Sequence, residues 1–148
     1  MDRLSLEILA IIVSYLNPSD FIEYVSVSRQ WQFAIERYTF RSLRLKSDDY
    51  DFFTRVCSDS HRAAAIAELE YDVILPAYSD EQCAKFESEK DEKANNEAFT
   101  NAIKRLFETL HLWGNPSNDG AHKMRGRPIM LSLGAYSTTD PRYREAKF

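Results

Sequence analysis

Three histidines and two cysteines are the side chains of this sequence best suited to hold a metal ion or to attack a substrate. They are His61, His111, His122, Cys57 and Cys83. Their separations match neither a zinc-ligand motif nor a disulfide framework, and no glycine-rich phosphate loop or nucleophile elbow accompanies them. We therefore predict no metal site, no cofactor and no enzymatic activity.

One further grouping near the C-terminus has the residue types of a catalytic triad. His111, Ser117 and Asp119 lie close together in the sequence. A triad requires a fixed geometry that holds the base beside the nucleophile. Residues 115–128 are rich in Gly, Pro, Asn and basic residues, which favours a loop over a rigid scaffold. The prediction of a non-enzymatic protein is unchanged by this grouping.

Two basic patterns could contact nucleic acid. Residues 125–128 read Arg-Gly-Arg-Pro, with Lys123 nearby, and match the core of the AT-hook, which inserts arginine into the DNA minor groove. Two of the predicted N-terminal helices could also form a helix-turn-helix that presents Arg29, Gln30, Gln32 and Arg37. The net charge is -4, and residues 1–43 contain five acidic and four basic side chains. Because phosphate contacts require a basic surface, nucleic-acid binding through residues 123–128 remains a lesser alternative.

The composition is that of a folded, soluble chain of 148 residues, with 44% apolar and 28% charged residues. The apolar run over residues 6–16 is too short to cross a bilayer. Asp2 stands where a signal peptide would carry positive charge. We expect no membrane partner and a cytoplasmic or nuclear location.

The first forty residues are predicted to form three short helices, because apolar residues recur three and four apart between turn signals. Ser5 can cap a first helix that runs to about residue 16, before the break at Asn17-Pro18. Either Ser19 or Asp20 can cap a second helix that ends near residue 25. A third helix is predicted over residues 28–38, with a core-facing stripe of Val27, Trp31, Ala34, Ile35 and Tyr38.

Beyond residue 40 the pattern changes to alternating strands and helices. Strands are predicted over residues 42–46, 67–75 and 129–135, and helices over residues 48–57 and 95–113. The acidic stretch over residues 79–94 has few apolar side chains and is predicted to be a solvated loop. The fold class is therefore α+β, or mixed: a three-helix unit over residues 1–43, then a small α/β segment over residues 44–148. Parallel strands with helices on one face would resemble a short leucine-rich-repeat solenoid.

The first predicted helix is apolar on two sides. One stripe consists of Leu6, Leu9, Val13 and Leu16, and a neighbouring stripe consists of Ile8, Ile11, Ile12 and Tyr15. A three-helix unit of this size can bury only one such side internally. The other side must then meet the downstream segment or a separate protein.

Five short stretches of the N-terminal region resemble the F-box pattern in order and spacing. They are Leu4-Ser5-Leu6-Glu7-Ile8, Ile12, Tyr15-Leu16, Asp20-Phe21 and Val27-Ser28-Arg29-x-Trp31. The downstream region, from Tyr38 to Trp113, also resembles a large group of filamentous-fungal F-box proteins. One departure is Ser5, which stands where many family members have proline, although a capping serine can begin the helix equally well.

The resemblance implies a protein that acts by binding. It would dock onto a Skp-type subunit of a cullin-based SCF ubiquitin ligase and recruit a target protein for ubiquitination. The implied adaptor contacts are Leu4, Leu6, Glu7, Ile8, Ile12, Leu16, Val27 and Trp31. Residues 44–148 would be a target-binding domain, either complete or truncated. The alternative is a degenerate or stand-alone protein-interaction domain with no role in a ligase.

Overall fold

A computed structural model describes residues 4–79, 81, 86–114 and 128–140. The N-terminal region consists of α1 (Leu6–Tyr15), a 3-10 turn (Pro18–Asp20), α2 (Phe21–Val25) and α3 (Arg29–Thr39). It is followed by β1 (Ser42–Lys46), a second 3-10 turn (Ser47–Asp49), α4 (Tyr50–Val56), α5 (Ser60–Ala65), β2 (Glu68–Leu75), α6 (Glu89–Gly114) and β3 (Met130–Ser137). The described elements are thus mixed helix and strand, and those that the sequence predicted occur in the predicted order.

Serine hydroxyls fix the starts of two N-terminal helices. The Ser5 hydroxyl accepts a hydrogen bond from the N–H of Ile8 at 3.4 Å, and the Ser28 hydroxyl accepts one from the N–H of Trp31 at 3.3 Å. The predicted cap at Ser5 is therefore confirmed. The predicted side-chain cap of α2 by Ser19 or Asp20 is wrong, because the preceding 3-10 turn leads directly into that helix and the Ser19 hydroxyl donates to Asp20 instead.

The three N-terminal helices enclose a small core of their own. Leu9 and Val13 of α1 are buried against Ala34 and Ile35 of α3, and the partly buried side chains around them are Phe21, Tyr24, Val25 and Trp31. Val27 and Tyr38, which the sequence assigned to the same stripe, are 62% and 46% exposed. That assignment is wrong for these two residues, because Val27 lies before α3 begins and Tyr38 sits near the end of the helix.

A second and larger core lies between the sheet and helices α4 to α6. The three strands are parallel in the order β1-β2-β3, so β2 is central. Leu69, Tyr71 and Val73 of β2 alternate along the strand and are all buried, as their period-two pattern predicted. The hydroxyl of Tyr71 donates to the carbonyl of Ala102 at 3.3 Å, which attaches α6 to the sheet.

The structure differs from the predicted elements in two places. Helix α5 was not predicted; it begins where the Asp59 carboxylate accepts a hydrogen bond from the N–H of His61 at 2.9 Å. The predicted acidic loop over residues 79–94 is wrong for residues 89–94, which form the beginning of α6. The Ser88 hydroxyl accepts from the N–H of Asp91 at 3.2 Å. Acidic side chains in this first turn also stabilise the positive end of the helix dipole.

Helix α3 is joined to the second core by a set of side-chain contacts that we call the α3–α5 junction. The Arg62 guanidinium donates to the Glu36 carboxylate at 2.8 and 3.2 Å, and the rings of Phe33 and His61 stack with their centroids 3.8 Å apart. The carbonyl of Arg41 accepts backbone hydrogen bonds from the N–H groups that precede and begin β2. The N-terminal helices therefore contact the sheet unit through side chains and backbone.

Candidate functional site

Helix α1 leaves a row of large apolar side chains in water. Ile8, Ile11 and Tyr15 are 46%, 59% and 85% exposed, and their spacing of three and four residues places them on one side of the helix. We call these three residues the α1 stripe. Leu9 and Val13 lie on the opposite side and are buried. The helix is therefore apolar on both sides, as the sequence predicted, and one side faces solvent.

The predicted adaptor contacts do not all lie on the α1 stripe. Leu4, Leu6, Glu7, Ile8 and Val27 are exposed, whereas Ile12, Leu16 and Trp31 are partly buried. By helical spacing, Ile8 and Ile12 share a side of α1, but Leu6 falls on the side of Leu9 and Val13. The ring of Trp31 stacks on Tyr24 at 5.2 Å and packs against the N-terminal core. Of the predicted contacts on α1, Ile8 and Ile12 therefore lie on the same side of the helix. The other predicted contacts lie on different sides of the three-helix unit.

Three exposed apolar residues were missing from the predicted contact set. Ile11 and Tyr15 follow Ile8 at helical spacing, so this spacing could have identified them once Ile8 was chosen. Ile22 of α2 is 84% exposed. No sequence signal could have identified Ile22, because α2 has only five residues and no pattern long enough to separate its faces.

A second apolar surface lies between α2 and the end of α3. It is an open groove of about 890 Å³, and its lining includes Pro18, Phe21, Ile22, Val25, Tyr38 and Phe40. Most of these side chains are apolar, and the polar residues Glu36, Thr39, Arg41 and Ser42 also line the groove. The groove, like the α1 stripe, can bury apolar groups of another molecule.

One charged side chain stands beside the apolar residues at the start of α1. The pKa of Glu7 is lowered, mainly because its own backbone N–H donates a hydrogen bond to its carboxylate. The hydroxyl of Ser5 donates a second hydrogen bond, which has a smaller effect. Glu7 is therefore anionic at neutral pH. It lies in the first turn of α1, where a negative charge is favourable.

The histidines, cysteines and acidic residues are the side chains that could bind a metal ion or attack a substrate. Within the described part of the chain, no group of three or more His, Cys, Asp or Glu residues is arranged to hold a metal ion. Cys57 is buried, and this burial raises the pKa of its thiol to about 11, so it is not a thiolate at neutral pH. Several of the candidate residues lie outside the described residues: Cys83, Ser117, Asp119, His122 and the basic residues of 123–127.

None of the described helices is by itself long and apolar enough to cross a bilayer. Leu6–Tyr15 and Pro18–Val25 reach the length and composition of a membrane span only when taken together, as a pair bent by 119°.

The position of the apolar surfaces coincides with a match to a known family. Residues 1–43 match the family model of the F-box domain, and this segment contains the α1 stripe. F-box domains generally mediate binding to the Skp-type subunit of SCF ubiquitin ligases. No curated protein and no solved structure matches the chain. The N-terminal three-helix unit is thus similar to an F-box domain, and this match supports an F-box protein.

Proposed function

We propose that the chain is a non-enzymatic F-box adaptor, which binds a Skp-type subunit of a cullin-based SCF ubiquitin ligase and recruits a target protein. The observation that carries this proposal is the exposed α1 stripe within the segment that matches the F-box domain. A small helical unit gains little from leaving three large apolar side chains of one helix in water. Exposed apolar patches of this kind mark protein-interaction surfaces.

The adaptor surface that we propose contains the residues implied by the resemblance, with two additions. It consists of Leu4, Leu6, Glu7, Ile8, Ile12, Leu16, Val27 and Trp31, together with Ile11 and Tyr15. The exposed members would contact the adaptor directly. The partly buried Trp31 would hold the helices in position beneath them, because it packs against the N-terminal core; Leu16 is also partly buried.

The remaining part of the proposal concerns residues 44–148. The ligation chemistry would belong to other subunits, and this chain would raise the effective concentration of a bound target near them, in the cytoplasm or nucleus. The sheet unit would hold the target. Three parallel strands in sequential order, with helices between them, support a leucine-rich-repeat-like arrangement for this unit. Membership of the filamentous-fungal group that the sequence resembles is part of the same proposal.

Truncation of the α1 stripe tests the adaptor role. We expect the double variant Ile8→Ala, Ile11→Ala to bind a purified Skp-type adaptor at least about 30-fold more weakly than the wild type, since even one central apolar anchor contributes about 2 kcal/mol or more. Isothermal titration calorimetry on the full chain measures the difference. The matched control is Leu112→Ala, which truncates a leucine of α6 that is 55% exposed.

Circular dichroism must first show that every variant has the wild-type helix content. Equal loss of binding in the Leu112→Ala control would show that the stripe has no special role. If the folded wild type does not bind the adaptor at all, the proposed function is wrong. The chain would then be studied as a stand-alone or degenerate interaction domain.

A further inference from the structure

Strand β3 is at the edge of the sheet and pairs with β2 alone within the described residues. The N–H of Met130 donates to the carbonyl of Ala67 at 2.8 Å, on the side of β2. Successive residues of a strand direct their backbone groups to opposite edges. The N–H and C=O groups of Leu131, Leu133 and Ala135 therefore point to the open edge.

The side chains of these residues belong to the face of the sheet that carries the helices. Leu133 is in register with Tyr71, and Ala135 is in register with Val73. Tyr71 and Val73 are buried, yet Leu133 is 48% exposed and Ala135 is also exposed. The apolar layer of the sheet therefore continues onto β3, where Leu131 is partly buried against the core and Leu133 and Ala135 are exposed.

The strand also lacks the charges that normally protect an edge. Residues 128–139 contain no Asp, Glu, Lys or Arg. Natural edge strands are usually shielded from pairing by charged side chains, proline or bulges. In a two-fold contact each strand meets its own copy, so any charged residue near the axis would face a like charge. An uncharged strand of eight residues avoids this repulsion.

We propose that β3 pairs antiparallel with β3 of a second copy of this chain, about a two-fold axis at Leu133. This register places Leu133 beside its own counterpart and Leu131 beside Ala135 of the other copy. The three outward-pointing residues of each strand would then exchange about six hydrogen bonds. Both sheets join into one, and the exposed leucines cover each other. The dimer does not depend on the proposed ligase role, and its test needs no adaptor.

Sedimentation equilibrium of the full chain, from about 1 to about 200 µM, tests the pairing. We expect a monomer–dimer equilibrium whose dissociation constant rises by at least about tenfold in Leu133→Lys, because two ammonium groups would replace two apolar contacts at the axis. Leu112→Lys places the same charge on an exposed leucine of α6 and should leave the equilibrium unchanged. Ile11→Lys should also leave it unchanged, since the α1 stripe is a separate apolar surface.

A second variant removes a backbone donor without adding charge. Ala135→Pro eliminates one outward N–H and leaves the hydrogen bonds between β2 and β3 in place, so it should weaken the dimer while the circular dichroism spectrum is retained. In the wild type, hydrogen exchange should show protection of the amides of Leu131, Leu133 and Ala135 that increases with protein concentration.

Three results would overturn the proposal. A wild-type chain that is monomeric at the highest concentration does not pair through β3. Dissociation by Ile11→Lys and not by Leu133→Lys would place the contact on the α1 stripe. Protection of the three edge amides that is independent of concentration would mean that another segment of the same chain covers β3.

Discussion

At the scale of single residues, the Glu36 carboxylate accepts hydrogen bonds from two neighbouring side chains, Arg62 and Gln32. The pKa of Glu36 lies below its ordinary value of 4.5, because the Arg62 guanidinium donates hydrogen bonds to its carboxylate; burial opposes this effect and a hydrogen bond from Gln32 adds to it. A lowered pKa in the folded state means that the stabilisation is fully present above 4.5 and is lost as the pH falls through the folded value.

We therefore predict that Glu36→Gln lowers the free energy of unfolding by about 2 kcal/mol at neutral pH. The difference from the wild type should shrink as the pH is lowered from about 5 to about 3, because protonation removes the same charge from Glu36. Urea denaturation at a series of pH values measures both effects.

The matched control is Asp51→Asn. The Asp51 carboxylate pairs with Arg105 at 2.7 Å, but its side chain is 87% exposed. Exposed ion pairs contribute roughly 0–1 kcal/mol. If Asp51→Asn costs as much as Glu36→Gln, or if the cost of Glu36→Gln does not depend on pH, then the α3–α5 junction is not stabilised by the charge of Glu36.

At the scale of secondary-structure elements, β2 and β3 approach each other closely at one point. A Cβ atom on Gly134 would clash with Oδ1 of Asp72. Asp72 is buried, and its Oδ2 accepts hydrogen bonds from Arg44 at 3.4 Å. Because this carboxylate is held in place, a larger residue at position 134 must displace it.

Gly134→Ala should therefore destabilise the sheet by about 1–2 kcal/mol. In an Asp72→Ala background the same substitution should be neutral or slightly stabilising, since alanine loses less backbone entropy than glycine in a strand. A double-mutant cycle by chemical denaturation, at a concentration where the chain is monomeric, measures the coupling. Equal effects of Gly134→Ala in both backgrounds would show that Asp72 does not restrict this position.

The elements that could be predicted from sequence were those with a clear period. The alternation of Leu69, Tyr71 and Val73 located β2 closely, and the Ser5 cap located the start of α1. The start of α6 could not be predicted in this way, because its first turns are acidic and make few apolar contacts; the Ser88 cap fixes them instead. Helix α5 has six residues, which is too short for a helical period to be visible.

The candidate site was predictable only in part, for a related reason. Helical spacing showed that α1 has two apolar sides, but it could not say which side the other helices cover. That choice depends on packing against Ala34 and Ile35, which buries Leu9 and Val13 and leaves Ile8, Ile11 and Tyr15 outside. The close approach of Asp72 to Gly134 depends on strand register and was likewise absent from the sequence pattern.

At the scale of the whole molecule, the two hydrophobic cores have no buried residue in common among those the structure describes, and they are connected through the α3–α5 junction. The sequence contains two tryptophans, and the structure places one beside each core. Trp31 packs against the N-terminal core, and the ring of Trp113 lies 5.7 Å from that of Phe53 in the second core. Their fluorescence can therefore report the unfolding of each core separately.

We predict that the junction makes the two cores unfold together. Single-tryptophan variants, Trp31→Phe and Trp113→Phe, should give coincident urea transitions in an otherwise wild-type chain. Adding Phe33→Ala and Arg62→Ala removes the ring stack and the ion pair, and should separate the two midpoints.

Arg105→Ala, which removes an exposed ion pair within the second unit, should leave the midpoints together. If the urea transitions of the two single-tryptophan variants already differ while the α3–α5 junction is intact, the α3–α5 contacts do not couple the unfolding of the two cores.

The short connection between α3 and β1 has a geometric consequence. Only Phe40 and Arg41 separate the two elements, and the carbonyl of Arg41 is bound to the backbone at the start of β2. With Arg62 holding Glu36 beside this connection, the sheet cannot swivel freely about the axis of α3. The contacts of the connection therefore restrict the angle between the N-terminal helices and the sheet. A molecule held on the sheet would then reach a molecule bound at α1 over a narrower range of distances and orientations than a flexible linker would allow.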